Sequence, residues 1–115
     1  FNSFDEINNL QYCNNLKQLT LLDNGLKCLT NLAPISMTLR ILRITDQNLT
    51  SIDNINYQLP NLIELYLYRN YIKSINISTF NYLPHLKILW LTQNQLVDLP
   101  IHLTTYLPDL QILNL

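Results

Sequence analysis

Leu16, Leu19, Leu21, Asn24 and Leu26 set a spacing that the chain repeats to its end. The spacing returns as Leu39, Leu42, Ile44, Gln47 and Leu49, then as Leu62, Leu65, Leu67, Asn70 and Ile72. A fourth copy is Leu86, Leu89, Leu91, Asn94 and Leu96, and Leu110, Leu113 and Leu115 begin a fifth. The copies start near 16, 39, 62, 86 and 110, so the periods are 23, 23, 24 and 24. A unit this short cannot close a core of its own. It buries its apolar face only against the units before and after it. Residues 1–15 carry Phe1, Phe4, Ile7, Leu10 and Cys13 at intervals of three. They read as the end of a preceding repeat with helical or 3₁₀ character. Residues 1–115 are therefore expected to form one array, itself a piece of a longer one.

The pattern L-x-x-L-x-L-x-x-N-x-L resembles that of the leucine-rich repeat family, and the resemblance covers the whole chain. It implies an α/β fold, a right-handed solenoid. A parallel sheet, one short strand per repeat, is expected on the concave face. Loops and short 3₁₀ or helical turns are expected on the convex face. Pro60, Pro84 and Pro108 each stand two residues before a leading leucine, where a residue without an amide donor fits just outside a strand. The family's ninth-position ladder implies a structural role for Asn24, Asn70 and Asn94, whose amides would satisfy backbone groups of neighbouring turns. Gln47 departs from that ladder. Either its longer side chain still reaches, or the turn shifts by one residue.

Side chains on a strand alternate between faces. The fourth and sixth positions point inward. The third, fifth, seventh and eighth are expected on the concave surface. Ile41, Arg43, Glu64, Tyr66, Tyr68, Arg69, Ile88 and Trp90 would then share one face across the middle repeats. Tyr, Trp and Arg are the types enriched at binding hot spots. They are also, with Ile, good strand formers, so the same columns are consistent with plain strand propensity.

Composition narrows the function classes. Seven basic and eight acidic residues give a formal net charge of −1, without the basic excess that phosphate binding needs, so no nucleic-acid partner is expected. One glycine excludes a glycine-rich phosphate loop. No apolar run approaches the length of a membrane span. His85 and His102 read as solvated loop histidines. The acids are scattered, so neither a catalytic set, a metal cluster nor a cofactor site is expected. Cys13 falls in an apolar column and reads as a core thiol, whereas Cys28 falls in a polar column. Two thiols in different columns are poorly placed to bridge, which favours a reducing, cytoplasmic compartment. The sequons Asn48-Leu49-Thr50 and Asn76-Ile77-Ser78 are about what an Asn-rich chain yields by chance.

The resemblance implies a non-enzymatic scaffold that binds a protein partner. The stretch Asn70–Leu86 is similar to the 24-residue repeats of secreted and receptor ectodomains. The strands at Leu65–Asn70 and Leu89–Asn94 are similar to intracellular repeats of the phosphatase-regulator and axonemal type, including those of large multi-repeat proteins. The alternatives are thus an extracellular recognition or adhesion ectodomain, or the regulatory array of a larger enzyme or phosphatase assembly.

Overall fold

The fold is seen in a computed structural model that describes residues 4–100 and 102–115. Five strands run parallel: β1 (Gln18–Leu22), β2 (Ile41–Thr45), β3 (Glu64–Tyr66), β4 (Ile88–Trp90) and β5 (Ile112–Asn114). They lie side by side in chain order. The register follows the repeat, with Leu19 beside Leu42, Leu65, Leu89 and Leu113 in turn. The sheet stays open. A 3₁₀ turn (Leu10–Tyr12) precedes β1, and among the described residues the strands are joined by loops, two further 3₁₀ turns (Ala33–Ile35, Ile77–Tyr82) and one short helix, α1 (Leu103–Tyr106). This is the α/β solenoid that the repeat implies. Phe1 and Ile101 lie outside the described residues.

The repeated leucines make the core. Leu39, Leu42, Ile44, Leu62, Leu65, Leu67, Leu86 and Leu89 are fully buried. Each such side chain contributes about 1.5–3 kcal/mol through burial. Ile52, Ile55, Ile75, Phe80 and Leu83 close the core from the convex side. The first strand is less well covered, and Leu19 and Leu21 only pack partly against the cluster. On β5, Ile112 and Leu113 are exposed. Identical positions differ because burial comes from neighbours on both sides.

Each repeat turns at its eighth position. Asp23, Asp46, Arg69 and Gln93 all have left-handed backbone, with φ of 53, 55, 58 and 59°. Asp tolerates this region. Arg and Gln pay about 1 kcal/mol there. The ninth position then holds the turn. The Asn70 amide donates to the carbonyls of Ile44 and Leu67 at 2.8 and 2.9 Å, and its Oδ1 accepts from Leu49 N–H at 3.2 Å. Asn94 repeats this with Leu67, Leu91 and the amide of Ile72.

Gln47 reaches, and the turn does not shift. Its Oε1 accepts from the amides of Asn24 and Leu26 at 3.1 and 2.9 Å, and its Nε2 donates to Thr45 O. The extra methylene lets one oxygen bridge two amides. Asn24 differs from the expected ladder. Its amide donates only within its own turn, to Leu22 O at 3.0 Å, and its buried Oδ1 has no partner among the described residues. Bridging needs a preceding turn that offers an amide, and none of the described residues does so.

On the convex side Asn76 caps the third 3₁₀ turn by accepting from Ser78 N–H at 3.0 Å. Asp53 of the previous repeat accepts from Asn76 N–H and from the Thr79 hydroxyl, tying the two turns together. Cys13 and Cys28 are both free thiols, and both are half-buried. For Cys28 this is more cover than its place in a polar column implies. Its sulfur lies 3.9 Å from the Thr30 hydroxyl, whereas Ser74 and Asp98 of the same column are exposed.

Candidate functional site

The strand period places the outward columns side by side. In the third-position row, Gln18, Ile41, Glu64, Ile88 and Ile112 are register partners. In the fifth-position row, Thr20, Arg43, Tyr66, Trp90 and Asn114 are register partners. The three adjacent side chains Arg43, Tyr66 and Trp90 therefore stack along one line. The Arg43 guanidinium carbon lies 4.7 Å from the centre of the Tyr66 ring, a cation–π contact. On the other side the Tyr66 and Trp90 rings are 5.9 Å apart and tilted by 35°.

Glu64 anchors this row. Its carboxylate accepts from the Tyr66 hydroxyl at 2.9 Å and lies 3.6 Å from Arg43. Withdrawal from water raises the Tyr66 phenol above its ordinary 10.0, the Glu64 carboxylate adds to the rise, and Arg43 opposes it. A phenolate here would face a carboxylate, so Tyr66 stays neutral through the physiological range.

Arg43, Tyr66, Tyr68, Trp90, Thr92 and Gln93 line a concavity of about 360 Å³ on the concave face. Four of these six are among the sequence-derived residues, and the structure brings them together. Ile41, Glu64 and Ile88 form the adjoining row rather than the wall. Arg69 stands apart, in a polar recess with Asp23, Asp46 and Asn70. It pairs through Nε with Asp46 at 2.8 Å, and its side chain is still 56% exposed. Thr92 and Gln93 were not singled out by sequence. Thr92 is held by a 2.6 Å bond from its hydroxyl to Asn114 Oδ1. Gln93 occupies a strained turn position and still keeps a long side chain, which is the signal that would have marked it. In the seventh column Thr45 is buried rather than outward-exposed, because its short side chain stands between Leu22 and the larger Tyr68.

A model of the leucine rich repeat family matches residues 37–96 and 60–115. The chain belongs to the leucine-rich repeat family. Leucine-rich repeats are generally protein-interaction modules, without catalysis of their own. A comparison with curated proteins found none that matches.

In this leucine-rich repeat array the histidines stay away from the groove. His85 Nδ1 lies 3.0 Å from Asp109 on the neighbouring repeat, and both are exposed. His102 is exposed at the start of α1. Among the described residues no group of three His, Cys, Asp or Glu side chains gathers to hold a metal ion. None of their helices is long and apolar enough to cross a membrane.

Proposed function

We propose that this array is a non-enzymatic scaffold that binds a protein partner on the concave face of its sheet. The observation that carries this reading is the groove walled by Arg43, Tyr66, Tyr68 and Trp90 across β2, β3 and β4. Its aromatic rings are half-buried. Aromatic and Arg anchors in a concave setting are the side chains that lose most water when a partner docks. Ile41, Glu64 and Ile88 extend the surface on one side, and Arg69 extends it on the other. Residues 1–115 act as one array in this reading. The buried ladder holds the curvature, and the outward columns carry the specificity.

Strand propensity is the competing account of the same residues, and threonine separates the two. Thr is a strong strand former but supplies no ring. The variant Tyr66→Thr, Tyr68→Thr, Trp90→Thr is compared with the parent chain as immobilised bait, with bound proteins identified by mass spectrometry. The expected result is an unchanged far-ultraviolet dichroism spectrum with loss of the proteins that the parent retains. An unchanged spectrum with an unchanged set of bound proteins contradicts the reading.

A further inference from the structure

We propose that the segment this groove takes is an extended chain of about six to eight residues in which acidic and apolar side chains alternate, lying across the strands. The proposal rests on the reading of the concave face as the binding surface, and it adds the chemistry of what binds there.

The charge pattern supports the acidic half. At the leading edge of the sheet, the second-position residues are Lys17, Arg40, Ile63, Lys87 and Gln111. Their backbones are chained by four amide-to-carbonyl bonds, each 2.8 Å, so they stand in line on consecutive repeats. Lys17, Arg40 and Lys87 are exposed. That single row holds three of the chain's seven basic residues and no carboxylate, in a chain of net charge −1. The nearby carboxylates are already engaged, Glu64 by Tyr66 and Arg43 and Asp46 by Arg69. Asp23 lies at the opposite edge of the face. Asp109 stands two residues before Gln111 at the far end of the row and is bonded to His85 at 3.0 Å, so the stretch from Lys17 to Lys87 is the cationic rail.

Distance supports the alternation. Trp90 lies three residues along its strand from Lys87, about 10 Å from the rail at the strand rise. A chain running midway between them sends alternate side chains to opposite sides. One set reaches the cations and the other reaches the aromatic groove. Five strands at about 4.8 Å spacing span roughly 19 Å, which an extended chain covers in about six residues. The inner strands are already paired on both sides, so the ligand adds no strand. Side chains alone must hold it.

The test selects random peptides of about eight residues on the immobilised chain. The winners are synthesised with a fluorescein label and titrated by polarisation, and the emission of Trp90, the one tryptophan of the sequence, is followed in parallel. The expected winners alternate Asp or Glu with aromatic or branched apolar residues and shift the Trp90 emission. The variant K17E/R40E/K87E is expected to bind them about tenfold more weakly or worse, with an unchanged melt, since each exposed ion pair contributes modestly. K17Q/R40Q/K87Q is expected to show a smaller loss, and this neutral variant carries the test if charge reversal disturbs folding. Winners that shift Trp90 but carry no acidic residues, or that bind the two rail variants undiminished, overturn the acidic segment while the groove reading stands. Winners that bind the threonine groove variant as well as the parent overturn both, as does a selection that yields no binders.

Discussion

The ladder turn and the aromatic groove adjoin in the same middle repeats, and they use their polar atoms in opposite ways. Asn70 is buried and closes its valences on backbone, accepting from Leu49 and donating to Ile44 and Leu67. The groove is half-open. Tyr66 and Arg43 are steadied by Glu64, yet the Arg43 and Glu64 side chains remain 32% and 26% exposed. Positions that make the fold satisfy themselves internally. Positions kept for a partner are held in place but not covered. The constant columns of the repeat belong to the first group, and in the proposed reading the varied outward columns belong to the second.

The largest effect that would sharpen this contrast is at the ladder. Asn70→Ala strands the Leu49 amide and two carbonyls in the core, which costs about 2–3 kcal/mol. Asn24→Ala is expected to cost well under half as much, because Asn24 makes one side-chain bond and leaves its Oδ1 unpaired among the described residues. Urea unfolding of both variants checks the order. Equal losses would break the link between bridging and stability.

A smaller effect of opposite sign is expected at the turn. Gln93→Gly relieves left-handed strain at φ 59° and should raise stability by up to about 1 kcal/mol, offset in part by glycine's greater entropy loss. The same variant removes a wall of the groove and should weaken any ligand bound there. A thermal melt and a peptide titration on one sample read both changes.

The smallest effect is at alkaline pH. Burial raises the Tyr57 phenol above 10.0, and the bond from Leu32 N–H opposes that rise in part. Tyr66 is raised as well, by desolvation and then by Glu64. A group whose folded pKa is raised contributes stability that is complete below its unfolded value. That contribution is lost as pH climbs through the folded one. Stability should therefore fall from about pH 10 upward, and Tyr57→Phe should flatten the fall. Urea midpoints at about pH 8 and pH 11 measure the slope.

The sequence made the solenoid legible because its period is carried by buried leucines, and a buried column tolerates few residue types. Strand register, the inward leucines and the meeting of Tyr66 with Trp90 all follow from that period. Other features depended on reach or on neighbours, which spacing alone does not contain. Gln47 bridges two amides only because one methylene carries its oxygen far enough. Asn24 sits on the same pattern position as Asn70 but lacks a described turn before it to bridge. Thr45 lies in an outward column and is nevertheless buried under larger neighbours. Arg69 shares the face with the aromatic row but is drawn aside by Asp46. Thr92 and Gln93 stand in the outward seventh and eighth columns but are not hot-spot types, so composition did not mark them as part of the wall.

The most direct measurement sets the unfolding free energy of the threonine groove variant beside that of Asn70→Ala. If the aromatic row is kept for a partner, replacing three rings by good strand formers costs less than the single ladder change. The expected result is a loss clearly below the roughly 2–3 kcal/mol of Asn70→Ala, together with loss of peptide binding. A groove variant that unfolds as readily as the ladder variant would show Tyr66, Tyr68 and Trp90 to be packing residues of the sheet, and would contradict the account.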